Sequence, residues 1–421
     1  MGERLGQSRK KSASEVSKDV KILAFVESLQ TPASEDAVSD ALLKQGRGGR
    51  ISSTIGEKRK RQKPGICISR RYAQRMGMLF CRCKKGEMIM HIPENYLSPS
   101  TCAVMTVAMV PVWVHSIRKV KQELPKEKVS MIGVGAAFSF VAMMFNLPLP
   151  GGTTGHAVGG TLIAILLGPE AACIAVSVAL LLQAVLFGDG GILSFGANCF
   201  NMAFVLPFLG YAIYKALTKG EVSTKRRLFA AGLGAYAGIN AAAFCAAVEF
   251  GIQPALFHDA TGQALYCPYG LSISIPAMML GHLTLFGFAE VVFTAGVLAF
   301  ILRTSPAMVK DTKEPSQSRP LYALLAALVV LVPLGLLAQG TAWGEWGADE
   351  IAMDASAGTP LGYTPAGMTG GFELRTIFPD YTVSGMPEII GYIVSAVIGV
   401  AMLIILFRLI GGFKKGTVYS G

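Results

Sequence analysis

The feature that most constrains this chain is a series of apolar stretches, recurring from about Thr101 to the C-terminal end, most of them long enough to cross a membrane. Roughly 20 helical residues span the ~30 Å hydrocarbon layer. Within that layer backbone N–H and C=O groups must bond one another, so each such stretch is expected to be a helix. Spans are expected at 101–117, 129–147, 156–168, 170–187, 195–217, 228–250, 271–302, 321–338 and 388–410. The third is short, and Gly168-Pro169 after it reads as a tight turn in which proline opens the next helix, so a partly re-entrant pair is the alternative. Composition agrees, with 52% of residues hydrophobic and 15% charged, a balance foreign to a soluble domain of this length. The expected fold class is an all-α polytopic membrane protein, a seven-span helical bundle followed by a two-span module with a large outer loop.

A net charge of +11 would suit a nucleic-acid binder, but its distribution argues otherwise. Twenty of the 38 Lys and Arg lie in residues 1–85. Most of the others cluster after alternate spans: Arg118, Lys119, Lys121, Lys126 and Lys128; Lys215, Lys219, Lys225, Arg226 and Arg227; Arg303, Lys310, Lys313 and Arg319; Arg408, Lys414 and Lys415. By the positive-inside rule these segments share the cytoplasmic side, which places residues near Met90 outside and the C-terminus inside. The opposite side carries the lone basic residue Arg375, while the loop 339–387 collects Glu345, Asp349, Glu350, Asp354, Glu373 and Asp380. The expected location is a prokaryotic inner membrane, with membrane lipid and no nucleic acid as partner.

The chain divides by composition. Residues 1–89 are rich in Ser, Gly, Lys and Arg and include the run GEKRKRQKPG; such a segment buries too little apolar surface to offset its ordering entropy, and reads as a disordered extension or an over-extended gene model. Residues 90–302 form the seven-span domain. The polar stretch 303–320 is a cytoplasmic linker, 321–412 the two-span module with outer loop 339–387, and 413–421 a tail. The loop, with its many glycines and several prolines, is too long for a simple connection. Eight cysteines show neither metal-ligand spacing nor a disulfide framework and read as small packing residues.

Of the five histidines, His91, His115, His156, His258 and His282, two sit in unusual settings. His91 lies in MHIPENYLSPS just before the first span, and His156 in PGGTTGHAVGG where the second span has ended outside. Topology puts both at one membrane face, where a single ion can be shared, and the glycines around His156 permit close backbone approach. The bland alternative is a glycine-rich helix junction with a satisfied histidine. If Met90 is the N-terminus, its amine, the deprotonated His91 amide and the His91 Nδ1 form fused five- and six-membered chelate rings. His156 would add a fourth nitrogen and complete a square plane, which suits nickel(II), whereas zinc prefers a tetrahedron. Pro93 biases Ile92 toward an extended backbone, letting the Met-His end double back toward the bundle. With residues 1–89 attached, the Met90 nitrogen is an amide and the chelate cannot form; a weaker two-histidine site is then the remaining option. Asp189, Asn198 and Asn201 lie toward the same face and are candidates to orient the imidazoles. His282 and Glu290, eight residues apart on one face of the seventh span, read as mutually or locally paired.

The segments MHIPENYLSPS, PGGTTGHAVGG, FGDGGILSFGANCFNM (187–202) and AMMLGHLTLFGFAEVV (277–292) together resemble the substrate-binding membrane subunit of nickel/cobalt energy-coupling factor (ECF) transporters, the CbiM/NikM family, over Met90 to about Leu302. The resemblance implies metal binding by Met90, His91 and His156, with transported Ni(II) or Co(II) as the ligand and no cofactor. It also implies partners, a coupling membrane subunit and ATPase subunits. Residues 320–412 resemble the family's accessory two-span subunit, fused here. Cobalt would connect the protein to cobalamin biosynthesis. The chain has no Walker A glycine-lysine signature, nucleophile elbow, HExxH or paired-carboxylate motif, so a transport subunit rather than an enzyme is expected. A seven-span retinal protein needs a lysine in 271–302, and none is there. The rival reading is a secondary transporter of a divalent metal driven by an ion gradient.

Overall fold

The computed structural model describes residues 91–149, 153–309, 319–338, 341–348, 350–355 and 357–412, all within one unit, Phe80–Gly421. The basic extension 1–89, Met90, much of the expected linker and the tail 413–421 lie outside the described residues.

Helix α1 (Pro99–Glu123) begins where the sequence supplies a stop and a start together: the Ser98 side chain accepts the Thr101 N–H at 3.1 Å and Pro99 takes the first helical position. The helices that follow are α2 (Lys126–Met143), α3 (Gly160–Leu167), α4 (Pro169–Phe187), α5 (Phe195–Leu217), α6 (Thr224–Leu256), α7 (Leu271–Thr304), α8 (Arg319–Leu337) and α9 (Glu388–Gly412). Among the described residues α1 and α4 to α9 are each long and apolar enough to cross a membrane, and α2 carries a shorter apolar stretch, Lys128–Met143. Val104 and Val107 on α1 are 66% and 69% exposed, so the outside of this bundle is apolar, as lipid requires. The protein is an all-α polytopic membrane protein.

The expected span 156–168 takes a different form. Strands β1 (Leu147–Leu149) and β2 (Thr153–Gly155) pair antiparallel, with Leu147 opposite Gly155, and only then does the eight-residue α3 begin. At 1.5 Å per residue α3 covers about 12 Å, well short of a crossing. Yet Glu170, one turn past its end, accepts a 2.8 Å salt bridge from Lys119 at the end of α1, so the Gly168 turn sits at the same end of the bundle as the basic segment after α1. The chain reaches that end partly as extended backbone and partly as helix. Irregular backbone at this depth survives only where protein buries it or a cavity adjoins it, and Thr154, Ala157 and Val158 are all buried.

Two sets of glycines determine how closely the helices approach. On α6 a Cβ at Gly238 would meet the Leu206 carbonyl of α5, and one at Gly234 the Gly210 backbone. The small-residue run of α6 is therefore a seam for the chain's own α5. Helix α9 packs on α2 in the same manner, Gly399 beneath Phe140 and Gly133 beneath Phe407, and the Tyr392 hydroxyl donates to the Met144 carbonyl at 2.8 Å. Helices α4, α5 and α7 each contain a wider π turn, at Gln183–Phe187, Cys199–Val205 and His282–Phe286. Such turns recur at functional sites.

Gly238→Leu should lower stability by about 1–3 kcal/mol or more, the cost of overpacking a close seam. Thermal unfolding in detergent would show this as a reduced Tm relative to Gly296→Leu, a position with open space around it.

Candidate metal-binding site

The segment around His91 is seated residue by residue. The Ile92 N–H donates to Asn198 Oδ1 at 3.0 Å, and the Ile92 carbonyl accepts from Ser194 Oγ (2.6 Å), Gly191 N (2.9 Å) and Asn198 Nδ2 (3.2 Å). Two residues on, the Glu94 carboxylate accepts the Ile192 and Leu193 amides at 2.5 and 3.2 Å. Burial raises the Glu94 pKa, an effect those two amides partly offset. Asn95, at φ 61°, donates to the Phe372 carbonyl of the loop between α8 and α9 at 3.0 Å. The run HIPENY (91–96) is thus fitted onto the FGDGGILS loop between α4 and α5.

The His91 ring is buried, 2% exposed, and its Nδ1 donates to Asp189 Oδ1 at 2.8 Å. The other Asp189 oxygen accepts from the Tyr381 hydroxyl at 2.5 Å and from Gln183 Nε2 at 3.3 Å. Gln183 Nε2 also donates to the Tyr381 hydroxyl at 2.8 Å. Burial and the Asp189 carboxylate push the Tyr381 phenol well up, so it remains a donor. This differs from the chelate envisaged through Nδ1: while the Asp189 contact stands, Nδ1 is occupied and the open nitrogen is Nε2, buried without a hydrogen-bond partner. The physical reason is a carboxylate aimed at the ring from a loop that sequence separates from His91 by almost a hundred residues.

His156 follows β2 and is half-buried. Its ring centroid lies 5.2 Å from that of His91, with the ring planes at 67°. The backbone beside it is held by Glu290 on α7, whose carboxylate accepts the Val158 N–H at 2.7 Å and the Gly159 N–H at 3.0 and 3.1 Å. A buried carboxylate here satisfies amides that the first turn of α3 leaves unpaired and matches the positive end of the helix dipole. His282 does not pair with Glu290; its Nδ1 donates to the Met278 carbonyl at 2.9 Å, leaving Nε2 as the acceptor nitrogen.

His91, His156 and His282 all line one cavity of about 100 Å³, between α5, α6, α7 and the loop that joins α8 to α9, together with Asn198, Asn201 and Glu345. Asn198 holds the backbone of Ile92 rather than an imidazole, and Asn201 Nδ2 donates to Glu249 at 3.0 Å. Among the described residues no three His, Cys, Asp or Glu side chains already converge on one ion position. The five described cysteines are free, and four of them are buried.

Sequence reading missed Tyr381, Glu345 and Gln183 as parts of this site. The first two belong to the accessory module, and only the long acidic loop between α8 and α9 hinted at a role. Trp343 anchors that loop: its N–H donates to Thr153 Oγ1 at 2.8 Å, and its ring packs with Phe250, Tyr269 and Trp346. Burial and then the Asp189 charge push the Glu345 carboxyl above the usual carboxylate range.

Glu290→Ala should cost about 1–3 kcal/mol by leaving the Val158 and Gly159 amides unsatisfied. Glu290→Gln, which keeps one acceptor oxygen, should lose less. Unfolding of both variants in detergent checks the order, and equal loss would show that the carboxyl oxygens do not hold this backbone.

A family model described as the cobalt uptake substrate-specific transmembrane region, CbiM, matches residues 91–308, and a second, the PDGLE domain, matches 318–415. The chain is 50% identical over 76% of its length to the probable fused nickel transport protein LarMN of Lactiplantibacillus plantarum, covering 97% of that protein. It is 49% identical over 79% of its length to the fused nickel transport protein NikMN of Rhodobacter capsulatus, covering 100% of that protein. A solved structure of a truncated transition metal transporter is 53% identical, over 51% of this chain and 99% of that one, with a TM-score of 0.48. With the bundle and the accessory module both matched, the chain belongs to the CbiM family of nickel and cobalt transport proteins, as a membrane transport component and not an enzyme.

Proposed function

We propose that this protein is the substrate-capture component of an ATP-driven ECF-type importer, and that its cargo is nickel in preference to cobalt. The observation that carries the reading is the meeting of His91 and His156 across one cavity, 5.2 Å between ring centroids, with His91 Nε2 buried and unpartnered. Neutral imidazoles in an enclosed site are suited to a borderline divalent ion. Nickel is favoured because the similar proteins that span the accessory module are named for nickel; relatives named for cobalt match about a third of the chain. The site lies at the outer face and the C-terminus in the cytoplasm, by the charge asymmetry of the loops.

In a chain that begins at Met90, the free amine, the His91 amide and His91 Nδ1 close the chelate and His156 supplies the fourth nitrogen. For this the His91 ring leaves Asp189 and turns about its Cβ–Cγ bond, so Asp189 and Tyr381 act as the latch of the empty site. In a chain that retains the extension, the ring stays on Asp189 and Nε2 with His156 offers a weaker two-nitrogen site. The chain has no ATP-binding signature of its own, so a partner ATPase and a coupling membrane subunit drive release to the cytoplasm.

Nickel binding should be measured for a chain beginning at Met90, for the full 421 residues and for His156→Ala. The Met90 chain should bind most tightly, and equal binding by all three excludes the amine chelate. Cellular nickel uptake should require the partner ATPase; uptake that follows a proton or sodium gradient and ignores the ATPase would establish the secondary-transporter reading instead. Tyr381→Phe, which removes a donor to Asp189, should change nickel affinity by about tenfold, the scale on which groups behind a ligand act.

A further inference from the structure

The cargo cavity contains an acceptor that the histidine site does not use. Glu345 comes from the outer loop of the accessory module and lines the same cavity as His91, His156 and His282. Its Oε2 is buried and has no hydrogen-bond partner, a condition it shares there with His91 Nε2. Once the Glu345 carboxyl gives up the proton that its burial favours, both atoms accept and neither donates, so a cation that displaces this proton satisfies them together.

The surroundings strengthen this. No lysine or arginine is among the residues lining the cavity, while a second carboxylate, Asp189, stands behind His91. Three polar side chains of the lining donate away from these two atoms: Asn198 Nδ2 to Ile92, Asn201 Nδ2 to Glu249, and His282 Nδ1 to Met278. The loop that carries Glu345 is also fixed in place. Trp343, two residues earlier, is tied to Thr153 on the strand that leads into His156, and Gly344 at φ 85° brings the backbone against Phe250. A side chain at position 344 would collide with that ring. The carboxylate is thereby presented beside the histidine-bearing hairpin rather than to solvent.

We propose that Glu345 is a ligand lent to the incoming divalent ion by the accessory module: its free carboxylate oxygen takes the ion on entry and passes it to the imidazoles of His91 and His156. This rests on the metal-capture reading of the histidine cavity. Since among the described residues no three His, Cys, Asp or Glu side chains converge on one point, the role is one of capture and transfer. A hard oxygen exchanges its ion faster than nitrogen ligands do, which suits a first contact. The accessory module is then part of the binding chemistry, beyond its packing on α2.

The test uses the full chain in detergent with Ni²⁺ alone as the probe. Glu345→Gln should slow nickel association by about tenfold or more, the range over which groups supporting a metal site act, with Glu345→Asp recovering part of the rate. Glu350→Gln in the same loop, outside the cavity, should leave it unchanged. Infrared difference spectra with and without Ni²⁺ should show a metal-bound carboxylate band in the unmutated chain and in Glu345→Asp that Glu345→Gln lacks, with the circular dichroism of Glu345→Gln matching that of the unmutated chain. Association at the unmutated rate in Glu345→Gln, or no carboxylate band in the unmutated chain, overturns the proposal. His156→Ala separates the two readings: if it binds nickel as the unmutated chain does, the histidine site itself fails; if it weakens binding while Glu345→Gln binds normally, only the role of Glu345 fails.

Discussion

The site depends on one buried contact, the imidazole of His91 against the carboxylate of Asp189. An imidazole–carboxylate pair removed from water must have its remaining valences satisfied, or desolvation outweighs the attraction. Here Asp189 also accepts from Tyr381 and Gln183. Three parts of the chain, the segment before α1, the loop after α4 and the loop before α9, therefore have to be in place together. Hydrogen bonds with a charged partner contribute about 1.5–3 kcal/mol each, and a buried network of this kind specifies a single arrangement of its members.

A second buried carboxylate governs the other histidine. Glu290 takes the amides at the start of α3, and that supports a buried segment that is half extended backbone and half helix. A helix starting at 156 would still leave the Val158 amide in its unpaired first turn, so an acceptor at this position is needed in either form. Glu290 is that acceptor, and His156 emerges beside the amides it holds. The resulting cavity is closed on one side by the accessory loop, so the two modules of this chain share one site.

Much of the fold was legible in the sequence because hydrocarbon imposes a length and a polarity that few other environments impose. Spans such as 271–302 and 388–410 could be read within a few residues of α7 and α9. His91 and His156 were legible as candidates because each stands in an odd local setting, beside a proline or among glycines, at a membrane face. The partners of His91 were legible only in part. Asp189 could be read as a candidate to orient an imidazole, but not which histidine it meets or through which nitrogen, and Tyr381 and Glu345 stood in a loop with no recognisable pattern. Hydropathy locates residues in depth but says nothing of which loops meet at that depth, and a hydrogen bond between residues 192 positions apart leaves no local trace.

By itself, then, the sequence determined that this is a multi-span helical membrane protein, through apolar lengths and the placement of charge, and it carried the motifs of the nickel and cobalt transport family. The tertiary structure decided what those local patterns could not: that the segment expected as the third span is a strand pair followed by a short helix, that Asn201 turns to Glu249 while Asn198 clamps Ile92, and that His91 meets Asp189 through Nδ1. It also decided that the accessory module reaches the cavity. Periodicity is a property of neighbours along the chain, whereas the satisfaction of a buried polar atom depends on whichever group the packed helices bring within 3 Å of it.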